Sequence, residues 1–183
     1  MRKALFFLLA LLPVLLLAGC GRSSSGKSGD KVGKIVFPSD LERVEGTQEA
    51  HPDLSVPTVR LVVFIDSTEC SSCRINNLHK YSQYSSLSTL YPGLEAVVVI
   101  WPNAEVSENI DKDLAHRKFP FDVFIDRDGS FLRENPWMPS IGRNQHAFLT
   151  GNDGLPVVTG DPITSAGRDR LLRNAIYTIY NGN

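Results

Sequence analysis

Apolar and polar positions fall into blocks along the chain that predict strands separated by helices. Residues 58–65 and 94–101 are rich in β-branched side chains at both alternating positions, which is typical of strands buried on both faces of a parallel sheet. Between them, residues 70–87 carry apolar side chains at steps of three and predict a helix. The order strand, helix, strand predicts a right-handed βαβ unit.

A β-hairpin is predicted towards the C-terminus. Residues 146–150 and 155–159 flank the turn sequence Gly151-Asn152-Asp153-Gly154. Because Pro156 has no backbone N–H, the second arm is expected at an edge of the sheet.

The remaining segments complete an alternation of helices and strands. In chain order we expect an edge strand at 34–37, a loop at 39–57, a helix at 106–118, a strand at 121–126, a loop at 130–144, and a C-terminal amphipathic helix capped by Thr164 or Ser165. The pattern therefore predicts one α/β domain with a mixed sheet.

The N-terminus has the features of an export signal. A basic start, Met1-Arg2-Lys3, precedes an apolar stretch and then Leu17-Ala18-Gly19-Cys20, which resembles a bacterial lipobox. The resemblance implies cleavage before Cys20 and lipid on that residue; an ordinary signal with an incidental cysteine is the alternative. We therefore divide the chain into a signal peptide (1–19), a lipidated cysteine with a flexible tether (20–33) and one domain (34–183).

Export places the domain in the cell envelope, where disulfides persist. Gly21, rather than Asp, follows Cys20, which resembles the sorting signal for the outer membrane in cells with two membranes. We therefore expect a lipid-anchored protein on the periplasmic face of that membrane. The net charge of −1 gives no reason to expect nucleic acid as a partner.

The cysteine count restricts the chemistry. Of three cysteines, Cys20 is accounted for by the lipobox, which leaves Cys70 and Cys73. No framework of structural disulfides and no four-cysteine zinc site can form from two thiols. A mixed zinc site with histidines stays open in principle, but none of the four histidines, His51, His79, His116 and His146, shows the paired spacing of a zinc finger, and we predict no metal.

The sequence Cys70-Ser71-Ser72-Cys73 follows the first buried strand and begins a helix. Unpaired N–H groups and the helix dipole at such a position favour thiolate over thiol. The first cysteine can then attack a partner's disulfide and the second can release the partner. A static disulfide is the alternative, but so short a loop gives little entropic stabilisation.

This arrangement resembles the thioredoxin fold. The hairpin sequence from Phe148 to Gly154 resembles the FLIDxDG hairpin of membrane-anchored TlpA/ResA-like thiol–disulfide proteins, of a type found in Bacteroidetes lipoproteins. The resemblance covers residues 34–181. It implies a three-layer α/β/α sandwich with a mixed central sheet, Cys70 as the attacking thiol, Cys73 as the resolving thiol, and no cofactor.

The chain departs from the thioredoxin pattern at three places. Gln145 or His146 stands where the family usually has a cis-proline, and Glu69 replaces the usual tryptophan before the first cysteine. The Glu69 carboxylate is expected to raise the pKa of Cys70. The hydroxyls of Ser71 and Ser72 could hydrogen-bond a thiolate.

Other residues have both a functional and a structural interpretation. Asp66 could relay the thiol proton or act as a turn or cap residue. His146 could lie beside the disulfide or be a polar side chain at a strand edge. Trp137 and Met138 could form an apolar rim for a partner or pack over the sheet edge.

Peroxiredoxin chemistry at Cys70 is a further alternative. That family has a proline and a threonine before its cysteine, at the positions of Val63 and Ser67 here, so the proline is missing.

The sequence therefore predicts a membrane-anchored thiol–disulfide oxidoreductase. Its expected partners are exported proteins with thiols or disulfides and an upstream thiol–disulfide electron donor. The alternative is a thioredoxin-like binding or accessory lipoprotein with a structural disulfide and no catalysis.

Overall fold

A computed structural model describes residues 32–142 and 146–182. In these ranges the strands are β1 Glu42–Val44, β2 Arg60–Ile65, β3 Glu95–Ile100, β4 Asp122–Ile125, β5 Ala147–Thr150 and β6 Pro156–Thr159. They form one sheet in the order β1-β4-β3-β2-β5-β6. The predicted α/β class with a mixed central sheet is confirmed. The predicted signal peptide, Cys20 and most of the tether lie outside the described residues.

The centre of the sheet is parallel. β2 pairs with β3 and β3 pairs with β4 in parallel, whereas β1, β5 and β6 join antiparallel. The chain steps in one direction from β2 through β3 to β4. Right-handed connections therefore place the two crossover helices on the same face of the sheet.

In the described part of the chain, five α-helices connect or cover these strands. They are α1 Ser71–Asn77, α2 Ser82–Ser85, α3 Ile110–Arg117, α4 Ser130–Glu134 and α5 Ala166–Asn181. Short 3₁₀ helices occupy Leu78–Tyr81, Ser86–Thr89, Met138–Ile141 and Pro162–Thr164. Within the described ranges, no helix is both long and apolar enough to cross a membrane.

The two faces of the sheet carry unequal layers. Alternate β2 side chains divide between two apolar clusters: Leu61 and Val63 join the larger one, and Val62 and Phe64 join the smaller. The larger cluster holds the apolar faces of α1, α3 and α5. The smaller is closed by α4, by the 3₁₀ helix at Met138 and by the chain around residues 35–41. The sheet is therefore covered on both sides, but mainly by helices on only one.

The helix expected at 70–87 is interrupted. α1 ends at Asn77, and 3₁₀ turns alternate with the short α2 up to Thr89. Polar side chains in this stretch bond back to nearby carbonyls: Asn77 Nδ2 donates to Cys73 O, Ser86 Oγ to Ser82 O and Ser88 Oγ to Ser85 O. Such bonds compete with regular helix formation, which apolar spacing alone does not reveal.

The strand predicted at 34–37 is wrong. The Asn135 side chain accepts from Val36 N at 2.9 Å and donates to Val36 O at 2.8 Å, so it takes the place of a neighbouring strand. The edge strand is instead β1, within the expected loop at 39–57.

The expected loop at 130–144 contains α4. The Asp126 carboxylate accepts from Ser130 N at 2.9 Å and Phe131 N at 3.0 Å, and these bonds start the helix.

The C-terminal part agrees with the pattern. β5 and β6 form the predicted hairpin, and β6, which begins at Pro156, lies at the sheet edge. Ser165 caps α5, because its Oγ accepts from Arg168 N at 3.3 Å.

The helix expected at 106–118 begins later, at Ile110, and ends before Lys118, whose φ of 50° is left-handed.

Candidate active site

The two cysteines lie at the start of α1, just after the turn that follows β2. They form a disulfide with a Cα–Cα distance of 5.3 Å, and both residues are exposed. Cys70 is the N-cap of α1, and its Sγ accepts from the Cys73 backbone N–H at 3.3 Å. A donor aimed at the first sulfur can also stabilise a thiolate there once the disulfide is reduced.

The turn before Cys70 is closed by Asp66. Its Oδ1 accepts from both the backbone N–H and the hydroxyl of Thr68, and its backbone oxygen accepts from Glu69 N at 3.0 Å. These are the bonds of a turn aspartate. A Ser67 or Thr68 side chain would ordinarily be a better helix cap than cysteine. Thr68 is engaged with Asp66, however, and the cap position falls on Cys70.

The two serines between the cysteines differ in environment. Ser71 is completely buried, and its Oγ accepts from Asn103 N at 3.1 Å. Ser72 is exposed. Ser71 therefore ties the cysteine turn to the chain that follows β3, and only the Ser72 hydroxyl lies at the surface beside the sulfurs.

Glu69 is paired with Arg74. Its Oε2 lies 3.3 Å from Arg74 Nε, and both side chains are mostly buried. Burial raises the pKa of the Glu69 carboxyl above its ordinary value, and this effect exceeds the lowering by Arg74. The Glu69 carboxylate, which is expected to raise the pKa of Cys70, is therefore paired with a cation.

Arg74 also contacts a carboxylate from a distant part of the chain. Its Nη1 and Nη2 each lie 3.2 Å from Asp161 Oδ2, and Tyr81 donates to Asp161 Oδ1 at 2.8 Å. None of these three residues is predicted as a site residue from the sequence pattern. The position of Arg74, directly after Cys73, was a usable signal, whereas nothing in the sequence relates Asp161 to the cysteines.

His146 is buried at the start of β5. Its backbone oxygen accepts from Phe64 N at 2.8 Å, which aligns it with the end of β2. Nε2 lies 3.3 Å from the carbonyl oxygen of Met138 and donates to it, whereas Nδ1 is buried and has no hydrogen-bond partner among the described residues. The ring also acts electrostatically on Glu69, whose pKa it lowers. Gln145, the other residue predicted at this position, lies outside the described residues.

Trp137 and Met138 pack inside the protein. They are 8% and 0% exposed, and the Trp137 ring meets Phe148 edge-on at 5.3 Å. Of the two interpretations, packing is therefore the one that the structure supports, and the surface around the cysteines lacks an apolar rim from these residues.

Both cysteines are exposed at the protein surface. A cavity of about 520 Å³ lies at the opposite end of β3, lined by residues 48–52 and 93–96 among others, with no cysteine in its wall. Among the described residues, no group of three or more His, Cys, Asp or Glu side chains is placed to hold a metal. An exposed disulfide suits contact with a macromolecule better than enclosure of a small substrate.

Known proteins show little sequence similarity to this chain. No family model matches the chain, and no curated protein matches it. A solved structure with a similar backbone is the solution structure of an uncharacterized thioredoxin-like protein from Porphyromonas gingivalis. It is 14% identical, with a TM-score of 0.48, over 69% of this chain and 79% of that one. The fold therefore rests on the strand order and packing of this chain itself.

Proposed function

We propose that the protein is a thiol–disulfide oxidoreductase whose redox group is Cys70–Cys73. One observation carries this proposal: the two sulfurs are exposed at the end of a buried strand, with the Cys73 N–H directed at Cys70 Sγ. The Cys-x-x-Cys spacing and the thioredoxin-like order of elements support it.

Exchange proceeds in two displacements. The Cys70 thiolate attacks one sulfur of a partner's disulfide, so that a Cys70–partner bond forms and the partner's other sulfur leaves as a thiolate. Cys73 then loses its proton to solvent and attacks Cys70 Sγ. The intramolecular disulfide forms, the partner's second sulfur leaves, and two electrons have passed to the partner. A thiol donor of the same chemical class restores the dithiol by the reverse exchange.

We further propose that it is a TlpA/ResA-like protein on the periplasmic face of the outer membrane. In this proposal lipid on Cys20 holds it there, and it acts on exported proteins with thiols or disulfides. The support is the signal-like N-terminus, the Leu17-Ala18-Gly19-Cys20 sequence and Gly21 after it. Labelling cells with radioactive palmitate tests the anchor, because Cys20→Ser should abolish incorporation.

A redox titration tests the activity. The full chain with Cys20→Ser keeps only the two site cysteines, and their state is read by thiol alkylation and mass. A reversible two-electron transition between about −270 and −120 mV is expected. A disulfide that stays formed below about −300 mV would instead make the pair structural. That result would favour the binding or accessory lipoprotein.

A further inference from the structure

An ion pair joins the two residues that flank Cys70–Cys73 in the sequence. Glu69 precedes Cys70, Arg74 follows Cys73, and Arg74 Nε lies 3.3 Å from Glu69 Oε2. The side chains are 24% and 21% exposed, so solvent screens the pair only in part. Two opposite charges are thus held on either side of the residues that would carry a thiolate.

The guanidinium group of Arg74 also bonds a second, buried carboxylate, that of Asp161. Asp161 Oδ2 lies 3.2 Å from both terminal nitrogens of Arg74, and Tyr81 donates to Asp161 Oδ1 at 2.8 Å. Asp161 is 5% exposed and also caps the 3₁₀ helix at Pro162–Thr164 through Ile163 N. One cation therefore contacts two carboxylates, and its loss would remove this partner from both.

Within the described part of the chain, the titratable and charged groups that act on Glu69 come from three places. Arg74 approaches from α1, Asp66 from the turn after β2, and His146 from the start of β5. Burial makes the ionised form of Glu69 costly, and Arg74 opposes that cost. The charge state beside Cys70 therefore depends on Arg74 staying in place.

We propose that Arg74 is a positioning residue of the redox pair, which controls the balance between thiol and thiolate at Cys70 by holding Glu69 and Asp161 in one ion-pair network. The role of this balance in turnover rests on the proposed function. A cation near a thiol favours the thiolate and a carboxylate disfavours it, so the two partners act on Cys70 with opposite sign.

The test measures the alkylation rate of Cys70 against pH. It uses the full chain with Cys20→Ser, reduced with phosphine, and iodoacetamide as the probe. Arg74→Gln should slow the reaction near neutral pH several-fold and move its midpoint to higher pH. Glu69→Gln should do the opposite, and the double variant should return towards the parent protein. Opposite signs are the essential result, because mere loosening of the turn would change both variants in the same direction.

The chain contains a matched control. Arg173 pairs with Asp169 at 2.8 Å, and Tyr84 donates to Asp169 at 2.8 Å, which repeats the Arg–Asp–Tyr arrangement on α5 and α2. Arg173→Gln removes similar bonds without touching the cysteine turn, and it should leave the alkylation profile unchanged. Arg74→Lys, which keeps the charge, should restore most of the parent rate.

Two results would overturn the proposal. One is equal profiles for Arg74→Gln and Arg173→Gln; the other is slower alkylation in both Arg74→Gln and Glu69→Gln. The measurement uses chemically reduced protein, so it reports on Cys70 even if the disulfide proves too stable to exchange. Failure of this inference is therefore distinguishable from failure of the proposed function, which the redox titration decides.

Discussion

The Ser71 hydroxyl accepts the backbone N–H of Asn103 at 3.1 Å, and this bond joins the cysteine turn to the end of the neighbouring strand. β2 and β3 are parallel, so their C-terminal ends meet at the same edge of the sheet. Ser71, which lies between the cysteines, is thereby held by the segment that follows β3 as well as by the turn that follows β2. This contact gives Ser71 a structural task that its neighbour Ser72 does not share.

Ser71→Ala should destabilise the protein, whereas Ser72→Ala should not. The first change removes the acceptor of Asn103 N in a completely buried position and is expected to cost about 1–3 kcal/mol of unfolding free energy. The second affects an exposed hydroxyl and should stay within about 0.5 kcal/mol. Urea unfolding of both variants checks this. Equal effects would mean that the bond to Asn103 contributes nothing.

Cys73→Ser should trap partners, and Cys70→Ser should not. Without the resolving thiol, the mixed disulfide through Cys70 persists, so we expect slower-migrating, reductant-sensitive bands on non-reducing gels of cells that express the variant. Cys70→Ser is the matched control, since it removes the attacking sulfur. Trapping by Cys70→Ser alone would reverse the assigned roles, and trapping by neither would support a structural disulfide.

Asn135→Ala should release the N-terminal segment from the smaller core. Asn135 is completely buried and bonds the N–H and carbonyl of Val36 and the carbonyl of Phe131. Loss of these bonds is expected to cost about 2–3 kcal/mol. Hydrogen exchange should become faster at the Val36 amide. The exposed Asn76→Ala serves as the control, and an unchanged Val36 exchange rate would contradict the prediction.

Stability should fall as pH rises above about 10. Burial, followed by Asp161, raises the pKa of Tyr81, and burial with Asp169 raises the pKa of Tyr84. An unfolded tyrosine ionises near pH 10, whereas the folded chain keeps these two protonated. The folded state thus binds more protons, and the free energy of unfolding decreases with pH in this range.

Urea midpoints at pH 8, 9.5 and 10.5 measure this effect. Tyr84→Phe should give a shallower fall than the parent protein. Tyr177→Phe is the control, because that ring is 61% exposed, and its slope should match the parent's. A midpoint that does not move between pH 8 and 10.5 would show that the two buried tyrosines are not linked to folding.

Local patterns were sufficient for much of this protein. The runs at 58–65 and 94–101 identify two strands buried on both faces, and Gly151–Gly154 between two apolar arms identifies a hairpin, because each signal depends on neighbouring residues alone. The Cys70–Cys73 spacing likewise sufficed to place a disulfide across the start of a helix.

Tertiary structure decided the surroundings of that disulfide. Asp161 is 87 positions from Arg74, and Ser71 is 32 positions from Asn103, so these bonds exist only once β6 and β3 have joined the sheet. Asn135 is also distant in sequence from its partner, Val36. Its side chain bonds the backbone N–H and carbonyl of Val36, so these groups need no neighbouring strand at 34–37. By itself, the sequence determined which two residues form the disulfide. Long-range packing added Asp161 and Asn103 to the surroundings of the disulfide, because these two residues come close to it only when the sheet has formed.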